Sequence, residues 1–262
     1  FPTISFDECL SGDGNNLNLP LSIADTANIV YTSGTTGPAK GVVQPYRYMN
    51  AFTYSYRQLS NHEDVIYNDL PLYHVGGSFF NVNRALWLGC KVALWDKFSP
   101  NDFWRRIERC GATSAVFLDV MIPWLMNAPP GPHDRNNSLN KVHMQPFPTY
   151  HNDVAKRFGI DFVTCGFGQT ESGNSFLGVI EELPESEGTP SELARGLTRH
   201  EVRIRCERAG IPYTPLGSSV EERYMGKPLP FHEVSIRDDM DEECEPDVLG
   251  HLCLRPKVPH LM

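Results

Sequence analysis

The sequence lacks several features that would assign it quickly. It has no Cys-x-x-Cys pair, and its seven cysteines (Cys9, Cys90, Cys110, Cys165, Cys206, Cys244 and Cys253) are odd in number and widely spaced. A disulfide framework and a zinc cluster are therefore not expected, and a reducing, cytoplasmic setting fits. No apolar run approaches membrane-spanning length, and no secretory leader pattern opens the sequence. Positive charge is also scarce: 23 Lys and Arg stand against 32 Asp and Glu, a net charge of -9, so no broad basic face for nucleic acid is expected and an anionic ligand must be held locally. No Gly-x-x-x-x-Gly-Lys-Ser/Thr string is present to hold magnesium, and no Gly-x-Gly-x-x-Gly opens a helix.

The remaining composition is that of a globular chain, with 40% hydrophobic residues over 262 positions, enough for one large or two modest domains. The most distinctive stretch runs from Tyr31 to Val42. An apolar segment, Asn28-Ile29-Val30-Tyr31, reads as a buried strand and empties into Thr32, Ser33, Gly34, Thr35, Thr36 and Gly37. Glycines let the backbone turn its N–H groups toward one point, hydroxyls add donors and Lys40 adds a mobile cation, which together suit a polyphosphate. A flexible linker is the plain alternative; the apolar flanks on both sides, Val42-Val43 among them, argue against it.

Further along, Gln44 to Leu59 reads as a helix whose aromatics, Tyr48, Phe52 and Tyr56, share a face more often core than ligand site. Val65 to Asn68 reads as a strand leading into Pro71-Leu72-Tyr73-His74-Val75-Gly76-Gly77, where His74 suits a turn or a site equally well. Ser78 to Leu88 reads as a helix and Lys91 to Trp95 as a strand. Ser99 to Asp102 supplies a helix N-cap, with Phe103 and Ile107 facing inward and Gly111 at the end. Thr113 to Phe117, Lys141 to Met144 and Ile160 to Thr164 read as strands, Leu118 to Met126 as a helix, and Asn152 as the cap of a helix ending at Gly159. Strands alternating with helices imply parallel crossovers, so the expected fold class is α/β, a mostly parallel sheet with helices on both faces.

The last of those strands exits into Cys165-Gly166-Phe167-Gly168-Gln169-Thr170-Glu171. Glycines beside an aromatic let a ring stack on a planar base, Thr170 can donate to a phosphate, and Glu171 is a hard oxygen ligand of the kind magnesium accepts. An aromatic between glycines is commonly only a turn, so alone this string is weak. After a charged stretch, Ser191 to Arg195 gives a short helical signal, and Thr198-Arg199-His200-Glu201 a capping box for a helix ending near Gly210. Tyr224 to Asp238 and Leu249 to Arg255 alternate as strands around Asp238 to Asp247, where seven of ten residues are acidic and are read as a solvated hairpin loop instead of a metal site.

Taken together, the loop at 32–41 and the Phe167-Gly168-Gln169-Thr170-Glu171 string resemble the two signatures of the AMP-forming acyl-adenylating superfamily, and diffuse similarity around Pro129 to Asn140 and Arg255 to Met262 is most like its crotonobetaine/carnitine-CoA ligase-like branch. Gly226-Lys227-Pro228-Leu229-Pro230 and Gly250-His251-Leu252-Cys253-Leu254-Arg255 fit the same pattern. The resemblance implies an α/β nucleotide-binding subdomain over 1–182, a connection over 183–225 and a smaller β-rich subdomain over 226–262. It implies a piece of a longer polypeptide, inactive in isolation, that lacks the mobile C-terminal domain and a further N-terminal portion. Implied substrates and cofactors are a small carboxylic acid, ATP (leaving AMP), Mg2+ and coenzyme A; a homo-oligomer is compatible. Ser33, Gly34, Thr35, Thr36, Gly37 and Lys40 are implied for the phosphates, with Thr32 and Gln169 beside the nucleotide. Phe167 between Gly166 and Gly168 would stack on adenine, Thr170 would meet the α-phosphate, and Glu171 would hold Mg2+. His74, Val75, Gly76 and Gly77 would border the acyl group, and His74 in place of aspartate disfavours an amino acid. Met144-Gln145-Pro146, Phe231 and His251 depart from the pattern, and those at Met144 and Phe231 permit a catalytically dead nucleotide-binding relative; a ligase that loads a carrier protein is a second rival, since acceptor choice is implied to lie largely outside this stretch.

Overall fold

The computed structural model describes residues 5–12, 15, 18–32, 37–132 and 134–257. After a short helix α1 (Phe6–Leu10), strand β1 (Thr26–Thr32) pairs antiparallel with β2 (Lys40–Pro45), and the two form a separate two-stranded ribbon. Here the expectation of a buried strand is corrected. Val30 alone of the apolar run is buried; Ile29 is 53% and Tyr31 71% exposed, because the ribbon has one face on the protein and none inside a larger sheet. Lys40, expected in a loop, is instead the first residue of β2 and pairs with Thr32 across the ribbon.

Behind the ribbon, α2 (Tyr46–Arg57) turns the aromatic stripe inward, with Tyr48, Phe52 and Tyr56 all buried. The main body is an eight-stranded sheet ordered β10-β8-β7-β6-β5-β3-β4, with β9 beside β8. Its parallel half consists of β3 (Val65–Asn68), β4 (Lys91–Leu94), β5 (Ser114–Leu118), β6 (Lys141–Gln145) and β7 (Phe162–Gln169). The antiparallel edge consists of β8 (Gly173–Glu181), β9 (Tyr213–Thr214) and β10 (Lys227–Pro228), although β9 itself runs parallel to β8.

Alternation along the strands divides the core in two. Val116 and Phe162 point to the side covered by α2, by the π-helical turn Gly76–Asn83 that runs into α3 (Arg84–Leu88), and by α7 (Arg199–Ala209). Ala115, Phe117 and Val163 point to the other side, under α4 (Phe103–Cys110), α5 (Ile122–Asn127) and α6 (His151–Phe158). Helices on both faces of a mostly parallel sheet are the architecture the sequence implies. A second ribbon, β11 (His232–Arg237) with β12 (His251–Pro256), supplies the β-rich C-terminal portion, and the acidic stretch 238–247 is its connecting loop.

Several helix starts differ from expectation. Ser99 does not cap α4: its hydroxyl bonds the Asp102 carboxylate at 3.0 Å, and the helix begins only at Phe103. Asn152 lies inside α6, which begins at His151. Residues 191–195 form a turn on Pro190, one hydrogen-bonded turn being too little to sustain a helix without a packed face. The capping box of α7 is present as read, Thr198 receiving the Glu201 N–H at 3.2 Å while the Glu201 carboxylate accepts the Thr198 N–H at 2.8 Å. Thr198→Ala is expected to lower unfolding stability by about 1 kcal/mol, checked by the urea midpoint against Thr198→Asp, which should retain most of it.

Candidate functional site

Sequence periodicity ends β7 at Thr164, but its ladder with β8 carries it on to Gln169. The Gly166-Phe167-Gly168 string is therefore strand, not turn, and alternation decides what each residue faces. A Cβ on Gly166 would stand 2.6 Å from the Phe176 carbonyl oxygen and 2.9 Å from the Tyr56 hydroxyl; one on Gly168 would stand 2.5 Å from Asn174 Oδ1. Both glycines are thus required by close approach, and both line one cavity. Phe167, between them, points away from that cavity and meets Phe176 edge-on at 5.9 Å.

That cavity, about 460 Å³, opens between β5, β6 and β7 on one side and α2 with the 70–80 segment on the other. His74, Val75 and Gly76 border it with Leu70 and Tyr73, and Gln169 and Thr170 stand on the opposite rim. His74 is held by its own backbone, Nδ1 accepting the Gly76 N–H at 3.0 Å. Gly77, expected at the pocket, does not line it; a side chain there would collide with the Leu70 and Pro71 carbonyl oxygens, so its role is to let the π-helical turn pack on the preceding loop. Thr32, Gly37, Lys40 and Glu171 also lie outside the cavity wall, Lys40 and Glu171 being exposed. Ser33, Gly34, Thr35 and Thr36 fall outside the described residues.

The ribbon that carries the hydroxyl-rich bend is nonetheless tied to the Thr170 corner. Gln44, on β2, donates from Nε2 to the Thr170 carbonyl at 3.0 Å, and the Tyr48 hydroxyl donates to the same oxygen at 2.8 Å and to the Gln169 carbonyl at 3.2 Å. These two side chains were not legible as site residues, since Tyr48 belongs to a stripe that reads as core. Burial raises the Tyr48 phenol well above its ordinary range, so it remains a donor at every physiological pH. Tyr48→Phe removes one buried donor from a carbonyl that keeps another, and is expected to cost about 1 kcal/mol in urea unfolding.

The cavity floor was also missed. His143, on β6, lies with Nδ1 3.1 Å from Thr164 Oγ1 and 3.5 Å from the Tyr56 hydroxyl, against the rings of both Tyr56 and Phe80. Burial, then the nearby Arg84 cation, push its pKa down to about 3, so the ring is neutral. As for a divalent cation, Glu171 is a single exposed carboxylate, and among the described residues no group of three His, Cys, Asp or Glu could hold a metal alone. That donor set fits magnesium bound chiefly through phosphates and water.

Comparison with known proteins locates this arrangement. Residues 5–262 match the family model described as AMP-binding enzyme. Crotonobetaine/carnitine--CoA ligase of Escherichia coli O45:K1 (strain S88 / ExPEC) is 30% identical over 215 residues, covering 80% of this chain and 41% of that protein. Its counterpart in Shigella sonnei (strain Ss046) is 30% identical over 190 residues, 71% of this chain and 36% of that one. The chain thus spans about two fifths of the length of the curated relatives it matches. Among solved structures, the O-succinylbenzoate Coenzyme A Synthetase (MenE) from Bacillus subtilis in complex with ATP and magnesium ion superposes with a TM-score of 0.67 at 22% identity, over 98% of this chain and 47% of that one. A putative long-chain-fatty-acid CoA ligase from Rhodopseudomonas palustris CGA009 gives 0.69 at 20% identity, over 95% and 53%. With the family model covering nearly its whole length and the fold agreeing, the chain belongs to the AMP-binding enzyme family.

Proposed function

We propose that the protein of which this chain is the nucleotide-binding part is an ATP-dependent carboxylate–CoA ligase. A carboxylate oxygen attacks the α-phosphorus of ATP; the bond from that phosphorus to the bridging oxygen breaks, and acyl-AMP and pyrophosphate form. The thiol sulfur of coenzyme A then attacks the acyl carbonyl, AMP leaves and the thiol proton passes to solvent. The observation that carries the reading is the brace described above: Gln44 and Tyr48, on and just after the second strand of the phosphate-loop ribbon, bond the carbonyl of Thr170. It joins the ribbon that carries the hydroxyl-rich bend, at the end where Gln44 pairs with Asn28, to the corner that bears Thr170 and Glu171, beside a cavity large enough for a small acid.

In this reading Ser33, Gly34, Thr35, Thr36, Gly37 and Lys40 hold the β- and γ-phosphates, with Thr32 at the root of the loop. Thr170 meets the α-phosphate and Gln169 the nucleotide beside it. Phe167 stacks on adenine from the face of β7 opposite the cavity. Glu171 would hold magnesium, which when bound neutralises charge on the triphosphate. His74, Val75 and Gly76 border the acyl group, and Gly77 supports that wall by packing. Holding the acid and the α-phosphate in line is what these fixed positions contribute.

The test is acid-dependent ATP–pyrophosphate exchange by the full-length protein with a panel of carboxylic acids. Exchange with at least one acid, followed by thioester formation on adding coenzyme A, is the expected result. A panel with no exchange would overturn it. Exchange without thioester formation would point to a carrier-protein acceptor. The chain 1–262 alone is expected to give little or no exchange.

A further inference from the structure

At its inner end the cavity meets a cluster of buried polar groups. Tyr56 and His143 line both the main cavity and a second, very small space behind them, about 10 Å³, roughly the room of one water. Around that space stand Arg84, Lys141, Ser60 and Thr164. Arg84 and Lys141 are 3% and 5% exposed, and Lys141 pairs with the buried Asp64 at 2.9 Å. Arg84 has no carboxylate within ion-pair distance among the described residues; it donates to Ser114 Oγ at 3.2 Å and lies over the Phe80 ring at 4.7 Å. Its Nε and the Ser60 hydroxyl have no hydrogen-bond partner, although both are buried. Asp64 acts on Arg84 only from beyond ion-pair distance, and buried donors are rarely left unpaired.

We infer that the substrate's far end completes this cluster: the preferred acid is a dicarboxylate whose second carboxylate reaches the Tyr56–His143 floor and is balanced by Arg84. The inference rests on the ligase reading and deepens it by naming the substrate class. A carboxylate accepts from the Tyr56 hydroxyl and from the imidazole, and a single water in the small space links it to Arg84 Nε and Ser60 Oγ. Burial first and the Arg84 cation second keep the ring neutral, so it meets the carboxylate as an N–H donor. A quaternary ammonium acid would bring a second positive charge to the same place, with no hydrogen-bond acceptor to offer.

The experiment compares, in the full-length protein, a short dicarboxylic acid, its monomethyl ester and a trimethylammonium acid of equal length, by kcat/KM for acid-dependent pyrophosphate release. The dicarboxylate is expected to lead the ester by roughly tenfold or more, because a site built to pair a polar group rejects the analogue that leaves it unpaired. The ammonium acid is expected to fall below both. Arg84→Met should collapse the ratio of dicarboxylate to ester toward one, while Arg84→Lys keeps part of it; the ratio is the readout, not the activity. Ester or ammonium acid used as well as the dicarboxylate, or a ratio unmoved by Arg84→Met, would overturn the inference and leave the ligase reading standing. Should Arg84→Met fail to fold, the ratio in the unaltered protein decides. Pyrophosphate from none of these three acids would overturn the inference, and the ligase reading falls with it only if the wider panel is silent too.

Discussion

Replacing Asp64 by alanine is expected to destabilise the protein by about 3–5 kcal/mol, the range for removing one partner of a buried ion pair. Asp64 is fully buried just ahead of β3 and uses both oxygens. Oδ1 accepts from Lys141 Nζ at 2.9 Å and from Thr113 Oγ1 at 2.6 Å, and Oδ2 accepts from the Asn61 N–H at 2.8 Å. Without it Lys141 keeps a single neutral partner, Asn140 Oδ1 at 2.6 Å, and shares the interior with Arg84, whose pKa burial already lowers to about 10 while Asp64 holds it up. Two interior cations without an anion are the costly state; the lost hydrogen bonds add about 1 kcal/mol each. The urea midpoint checks this. Asp64→Asn keeps acceptor geometry and loses charge, so it should fall in between. Asp64→Leu combined with Lys141→Met should recover most of the loss, since removing both charges abolishes the desolvation penalty. A loss below about 1 kcal/mol for Asp64→Ala would show that water reaches Lys141, against its burial.

The sequence exposed elements whose signal is local. The capping box Thr198–Glu201, the glycines ending α3, α4, α6 and α7, and the inward pair Phe103 and Ile107 are read from neighbouring letters, and each appears in the fold. Elements decided by distant partners were less legible. Strand β8 is almost entirely buried, yet its glycines and polar residues, Gly173-Asn174-Ser175 and Gly178, hide the pattern; its pairing with β7 also turns Cys165 to Gln169 from apparent turn into strand. Likewise Ile29 and Tyr31 are apolar enough for a core strand but belong to a ribbon with one covered face. At the cavity, Gly166, Gly168, Gln169 and Thr170 stood out because the residue types of 165–171 suggest nucleotide chemistry, whereas the described residues of 32–41 lie outside the cavity wall. Gln44 and Tyr48 did not stand out, because a side chain that braces a carbonyl from more than 120 residues away looks in sequence like any other core residue, and neither did Tyr56 and His143, whose partners also lie on other elements.

Glu171→Gln is expected to lower kcat for pyrophosphate release by roughly 10²–10³-fold, the scale of losing one preorganised electrostatic contact to a developing anion. Its neighbour Thr170 is buried and its carbonyl is fixed by Gln44 and Tyr48, so the glutamate projects from an anchored corner. The carboxylate itself is exposed. A rigid backbone under a solvent-facing acid suits a ligand for a cation that arrives with the triphosphate, and it makes a structural explanation easy to separate. Because the side chain is not part of the core, unfolding should change by no more than about 0.5 kcal/mol. The amide keeps size and one acceptor oxygen but loses the charge, so the Mg2+ concentration for half-maximal rate should rise while KM for the acid barely moves. Activity within threefold of the parent, at unchanged Mg2+ dependence, would remove Glu171 from the magnesium role. Loss of activity together with a large loss of stability would mean that the corner, and not the charge, had been disturbed.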